Sequence, residues 1–481
     1  MKIKVLTMMT LIAVTASIFT SCKDTPPVEP TPTSEYTELS GALSTQSLDA
    51  SKKYLIKGVV TVEDGAVLTI PAGTVLFGDK ASKGTLVVKK GGKINAEGTA
   101  IKPIIFTSNQ KPGEREQGDW GGLIILGKAN VNQNNPAIEG ISPAVNFGTF
   151  QSSANDNDNS GILKYVRIEY GGIAITPNNE TNSLTLGAVG NGTTIDYIQV
   201  TYGGDDSYEW FGGTVNCSHL VALASWDDDF DTDFGFSGKV QYAIRDPFNA
   251  DQSGSNSFES DNDASGTTTT PKTSGVFSNI TVLGPNYDST KASSSTLSGN
   301  FQHAMHLRRN TELSIFNSVI SGFPIGLNLD GTLTNYTAGN GVLDHNILVC
   351  PGVKGRSARP FFNGTAADVN VLTYWTTTKS NTVLTLNIPQ SGSPAYSKAI
   401  ADAGINPALI IGFNTVSGVT TGTYPKNPDF ATFTGISQSG ATYTDAKLST
   451  WFTTSSSFKG AFGSIDWTDL WGNFNPQSEV Y

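Results

Sequence analysis

Acidic side chains concentrate in one stretch. Between residues 205 and 263 there are 13 Asp or Glu and 2 Lys or Arg, a net of −11, which equals the formal net charge of the whole chain. Carboxylates held this close repel one another unless water, a cation or a cationic partner screens them. The spacing adds to the concentration: Asp205-Asp206 precede Asp227-Asp228 by 22 residues, and Asp229 precedes Asp251 by 22. If one structural repeat has that length, these acids stack. As a strand, residues 227–236 put Phe230, Phe234 and Phe236 on one face and Asp229, Asp231 and Asp233 on the other, about 7 Å apart. As a loop, Asp229-x-Asp231-x-Asp233 opens like a calcium motif, but Phe234 stands at the sharp-turn Gly position and Val240 at the bidentate Glu position, which argues against an EF-hand. Ligands that are all oxygen favour Ca2+ over zinc. The expected metal ligands are Asp205, Asp206, Glu209, Asp227, Asp228, Asp229, Asp231 and Asp233. Trp210, Trp226, Asp251, Glu259, Asp261 and Asp263 are expected to flank them as ligand-binding residues. Two alternatives stand beside a cation site, a solvated acidic face and catalytic carboxylates.

Catalysis on such a surface would mean polysaccharide cleavage, by a hydrolase with paired carboxylates or by a calcium-dependent lyase with an Arg or Lys base. Candidate bases are Lys239, Arg245, Arg308 and Arg309. His303 and His306 fall on opposite faces of a strand and make a poor metal pair. No Ser or Cys joins a His and an acid, and no Gly-rich phosphate loop follows a strand and opens a helix. No residue is assigned a catalytic role, and the reading is of a binding module.

The elements that must position the acids are short strands. Val67–Ile70, Thr74–Phe77, Leu86–Val88 and Ile104–Thr107 follow one another between Gly turns, with no helical periodicity. Leu163–Gly172 recurs as Ile195–Gly204, with both Tyr and both Gly retained at a period of 32, and residues 177–192 between them read as an inserted loop. Looser echoes begin at Asn279, Asn317 and Asn346, where Asn tolerates the left-handed conformation and bonds to the next coil. Repeats that cannot bury an apolar face alone stack into a solenoid. The expected fold is an all-β right-handed parallel β-helix with coils of about 22 residues, over 51–351, and a mixed, loop-rich C-terminal capping region over 352–481. A β-sandwich is the alternative. In the cap, Ser397–Ala403 and Asp445–Phe452 read as short helices, and Trp467, Trp471 and Phe474 are expected to close the open end.

The stretches Gly84–Thr99, Pro103–Thr107 and Gly118–Gly127, the Tyr-Gly-Gly-Asp-Asp segment from Tyr202, and the ending Gly460–Pro476 together resemble a large group of bacterial envelope proteins. That group is common in Bacteroidota and consists of right-handed β-helices. The resemblance runs from residue 54 to the end. It implies a surface or secreted location and, for some members, association with outer-membrane uptake machinery such as a TonB-dependent transporter, and it implies no established activity.

The chain starts with Met1-Lys2-Ile3-Lys4 and an apolar run from Val5 to Phe19, which reads as a signal peptide over 1–21. Cys22 after two small residues resembles the lipidation site of bacterial lipoproteins, with Phe19 in the usual Leu position. A Pro/Thr tether and entry segment follow over 22–50. The expectation is a chain lipid-anchored to the outer membrane through Cys22, facing the cell surface, and holding a glycan or an uptake partner. Without residues 1–21 the chain carries 29 basic and 42 acidic residues, which argues against nucleic acid. Cys217 and Cys350, six coils apart at that repeat length, are expected to be free, buried thiols.

Overall fold

Runs of three to five apolar or β-branched residues, each closed by a Gly or Asn turn, are too short to bury themselves. The computed structural model shows how they are satisfied. It describes residues 35–176, 179–246, 255–284, 301–350, 361–362, 368–386, 394–406, 409 and 426–481. Within them, 26 strands pair in parallel, each with the strand one coil on, as Lys53–Ile56 pairs with Val75–Gly78 and Val59–Val62 with Thr85–Val88. This is the expected parallel β-helix. Its strands begin at Tyr36–Leu43 and end at Thr382–Val383, wider at both ends than 51–351. The expected signal peptide, Cys22 and the Pro/Thr tether lie outside the described residues, whereas Tyr36–Leu43 and Gln46–Ser47 of the expected entry segment already form strands of the solenoid. No described helix is long and apolar enough to cross a membrane.

The strands form three sheets. A front sheet runs through Leu123–Leu126, Leu184–Gly187, Tyr208–Phe211, Phe230–Asp233, Phe258–Ser260, His303–Arg308 and Ile325–Asp330. The two rear sheets are the halves of bent strands. Gly161–Glu169 pairs its first half with Ile94–Glu97 and its second with Ile104–Phe106, turning at Tyr165. Tyr165, Tyr197, His219, Tyr242 and Asn279 all have positive φ, 49, 57, 54, 60 and 59°. That conformation is uncommon for residues with a side chain, and here it makes the corner where the rear sheets meet. Asn279 and Asn317 take it as expected, but Asn279 sits inside Val276–Leu283, and in the next coil His345 takes it instead of Asn346. Inside, Val, Ile, Leu and Phe stack into one core along the axis, each fully buried side chain contributing about 1.5–3 kcal/mol.

The 32-residue repeat is literal, since Leu163 pairs with Ile195. Residues 177–192 are not merely a loop. Leu184–Gly187 is a front-sheet strand, and the excursion is the hairpin Ile173–Thr176 with Asn179–Thr181. Coil length varies. Tyr208 pairs with Phe230 after 22 residues, but Phe230 pairs with Phe258 after 28, so a 22-residue count does not hold beyond Phe230, and Asp251 lies outside the described residues. Cys217 and Cys350 are free and buried. Only four coils separate them, through Val240, Phe277, Ile315 and Leu343, because the later coils are longer. At about 4.8 Å per coil that is about 19 Å, still beyond disulfide reach.

The C-terminal end of the solenoid is covered by the helix Pro394–Ala403, with Tyr396, Ala399 and Ile400 buried, as expected for that segment. At Asp445 there is only a single turn, Ala446–Leu448. The final segment does not close the end. It runs back along the rear corner, accepting hydrogen bonds from Asn317 at Thr442, Gln241 at Thr453, Asn279 at Phe458, Arg167 at Trp471 and Gln199 at Asn473. The side-chain N–H donors of these five residues need acceptors, and the carbonyls of an extended chain supply them.

Candidate functional site

The front sheet carries the acids because its strands alternate. In Phe230–Asp233, Phe230 and Thr232 are buried while Asp231 and Asp233 face outward. Register then builds an outer column of Thr185, Glu209, Asp231, Glu259, His306 and Asn328. A second column holds Asp233, Arg308 and Asp330, with Asp261 beside Asp233, its N–H bonded to the Thr232 carbonyl at 3.0 Å. Earlier on the same face, the outward residues are Val87, Ile124 and Leu126, covered by Ile138, Ile141 and Phe147 of an excursion.

Asp205, Asp206, Asp227 and Asp228 lie at the edge of this sheet. Carboxylate oxygens of Asp205, Asp206 and Asp227 lie within 4.8 Å of one another, as do those of Asp206, Glu209 and Asp231. Asp206 belongs to both groups. Its Oδ1 accepts the Asp228 N–H at 2.8 Å, its own N–H donates to Asn182 Oδ1 at 3.2 Å, and the Asn182 amide donates to Glu209. Asp206 and Glu209 are each 7% exposed. Among the described residues, no Lys, Arg or His pairs with Asp205, Asp206, Glu209, Asp228 or Asp231. Burial first, and neighbouring acids second, push all five carboxyls well above the usual range. Buried carboxylates without a counter-charge take up either a proton or a cation, and Ca2+ accepts six to eight such oxygens.

The other end of the column is neutralised. Arg308 pairs with Glu259 and, at 3.0 Å, with Asp261; Arg309 reaches Asp261 at 2.7 Å. His306 Nδ1 lies 3.5 Å from Glu259. Burial works against ionised Glu259, but His306 and Arg308 outweigh it and hold its carboxyl below the ordinary value. At Asp261 burial wins over Arg308 and the carboxyl is raised. Asn256 joins the two ends, its amide donating to Asp228 at 3.1 Å and Glu259 at 3.0 Å while its carbonyl accepts the His303 N–H at 3.1 Å.

Several expected site residues belong elsewhere. Trp210 is fully buried between Tyr208 and Phe236, because it alternates inward from Glu209. Trp226 is part-buried against the core. Phe234 does not share the inner face of Phe230 and Phe236. Its positive φ swings it outward onto Phe211, 5.2 Å between centroids. Asp229 is 3% exposed at the strand entry. Asp263 is spent on its own turn, accepting the N–H groups of Ser265 and Thr267 at 2.9 and 3.1 Å, and Asp233 accepts the Phe234 N–H at 2.6 Å. Lys239 lies on the rear side against Thr450, and the side chain of Arg245 is outside the described residues. His303 and His306 are not on opposite faces. Their rings lie 4.5 Å apart, because His303 opens its strand at a corner, where alternation does not fix side-chain direction. Glu139 and Glu180, which sequence reasoning missed, come from the two excursions and raise the carboxyl of Asp205. Glu139, on the exposed rim, is itself pushed up by the crowding around it and then by Glu180. No periodic signal marks either. Asn182 and Asn256 were equally silent.

Residues 41–383 match the family model described as the pectate-lyase-like beta helix domain. No curated protein matches the chain. Among solved structures, the Dettilon tailspike protein is similar over 69% of this chain, at 10% identity and a TM-score of 0.23; the match spans 61% of the tailspike chain. The coils, the three parallel sheets and the extent of the family match lead to one assignment: the chain belongs to the pectate-lyase-like β-helix family.

Proposed function

We propose that the front face binds an acidic polysaccharide through Ca2+ held by Asp205, Asp206, Glu209, Asp227 and Asp231. The observation that carries this reading is the pair of overlapping carboxylate groups sharing Asp206, with Asp206 and Glu209 buried and no ion-paired Lys, Arg or His among the described residues for Asp205, Asp206, Glu209 and Asp231. A cation here would neutralise the cluster and keep coordination positions for carboxylates of a sugar chain. Asp228 and Asp229 support the site from beneath, and Glu139 and Glu180 stand at its rim. A lipid anchor at Cys22 and an uptake partner in the outer membrane belong to the same proposal; the anchor rests on the N-terminal segment and the partner on the resemblance to envelope proteins.

A second reading is hydrolysis. Asp231, raised, sits beside Glu259, lowered, and carboxyls pushed apart in this way can divide the roles of acid and base. One experiment separates the two. The protein is mixed with polygalacturonate or dextran, in Ca2+ or EDTA, and both co-sedimentation and new chain ends are followed. Binding to polygalacturonate in Ca2+ but not in EDTA, without new ends, supports the binding module. New reducing or unsaturated ends would replace it with an enzyme, and equal binding in EDTA would remove the cation from the account.

A further inference from the structure

Across the core from the acids, the rings of Tyr165, Tyr197, His219 and Tyr242 stack coil on coil at the rear corner. Their centroids are 4.4, 4.1 and 5.3 Å apart. The returning C-terminal segment lies against this column, with Trp467 meeting His219 at 5.1 Å and 70°. The two do not close completely. A cavity of about 310 Å³ remains, walled by Tyr197, His219, Tyr242, Ser464, Ile465 and Trp467, with Ser456 and Phe458 at its floor.

The lining selects against charge, since no Asp, Glu, Lys or Arg contributes to it. It is nevertheless supplied with directed polar atoms. Asp196 Oδ1 lies 2.8 Å from His219 Nδ1. That contact holds the proton of a neutral ring on Nδ1 and turns Nε2 into an acceptor. The Tyr242 and Ser456 hydroxyls are 2.6 Å apart and bond to each other, with Thr453 also bonding Tyr242 and Tyr443 bonding Ser456, so what the pair offers a guest is hydroxyl oxygen lone pairs. Ser464 adds a third hydroxyl, and Ile465, 74% exposed, stands at the mouth. A wholly aromatic guest would leave these groups unpaired, at about 1–3 kcal/mol each. A guest with C–H faces and several hydroxyls satisfies both kinds of wall. The volume is at the lower end of the range for small-molecule sites, about 300–1,000 Å³, which limits it to one or two rings.

We propose that this rear pocket binds a sugar ring of a neutral saccharide. The aromatic side chains pack on its C–H surface, and His219 Nε2, Ser464 and the Tyr242–Ser456 pair bond its hydroxyls. The site is independent of the front face and needs no metal.

The test uses glucose, galactose, mannose, xylose and N-acetylglucosamine as probes, each titrated in EDTA so that a cation site contributes nothing. Saturation-transfer NMR and tryptophan fluorescence report binding. At least one probe is expected to saturate, with a Kd of about 0.1–10 mM. Ser464→Phe, which fills the cavity from an exposed position, is expected to weaken that binding at least tenfold. His219→Phe keeps the stacking surface and removes the acceptor, and is expected to weaken it as well; it decides the matter if Ser464→Phe does not fold. Failure of every probe to saturate, or binding that survives both substitutions, would overturn the proposal while leaving the front face untouched.

Discussion

Two ends of one column on the front sheet solve the same electrostatic problem differently. Around Glu259 and Asp261, the next coil supplies Arg308, Arg309 and His306, and the charges are balanced within the chain. Around Asp206, Glu209 and Asp231, two and one coils earlier, no Lys, Arg or His among the described residues forms an ion pair, Arg308 acts on Asp231 only from a distance, and the two excursions add Glu139 and Glu180. A fold that needed only stability would treat both ends alike. The contrast is what motivates the proposal that the counter-charge around Asp206 comes from outside the chain.

The comparison can be broken from its neutral end first. Arg308→Ala strips the counter-charge from two mostly buried carboxylates and is expected to cost about 3 kcal/mol, read by urea unfolding. A loss below about 0.5 kcal/mol, the level of an exposed pair, would mean that the pairing does not matter there. The pH dependence sharpens the contrast. Asp206, Glu209 and Asp231 are raised in the folded state above ordinary values of 3.8 and 4.5. Their protonation stabilises the fold at low pH, and that contribution is lost as pH rises above about 4.5 towards the raised values, by up to about 1.4 kcal/mol per carboxyl and pH unit. Glu259, lowered from 4.5, acts the other way: its contribution is present above 4.5 and lost as pH falls through its folded value. Unfolding in EDTA should therefore show stability falling as pH rises above about 5 into the neutral range, with the fall shallower in Asp206→Asn. A rise over that range would contradict the assignment. The smallest effect is expected from Asp231→Asn. In EDTA at neutral pH it should stabilise by about 1 kcal/mol, by relieving repulsion, and destabilisation would show that Asp231 is already balanced.

Much of this was legible in the sequence. The 22-residue spacing of Asp205-Asp206 and Asp227-Asp228 is a true coil, because the strands that follow them, Tyr208–Phe211 and Phe230–Asp233, pair at that same offset. The pattern Phe230-Asp231-Thr232-Asp233 gave the correct alternation. What failed did so for physical reasons. Trp210 was expected to flank the acids because it stands next to Glu209 in sequence, but the pleat that sends Glu209 outward sends Trp210 inward. Coil length changed at residue 230, so Asp251 could not be placed by counting. Glu139, Glu180 and the C-terminal segment dock through long-range contacts that no local period records. Arg308 looked remote from the acids in sequence, and 47 residues between Phe258 and Met305 make a single coil.

The central claim is that the Asp206 cluster takes its counter-charge from a divalent cation. The most direct measurement is thermal unfolding of the wild type and of Asp206→Asn, each in EDTA and across a CaCl2 titration. The account predicts a Ca2+-dependent rise in Tm for the wild type, equivalent to about 2.7 kcal/mol at a hundred times Kd, and little or no rise for Asp206→Asn. A wild-type Tm indifferent to both Ca2+ and EDTA, or an equal rise in the variant, would contradict it.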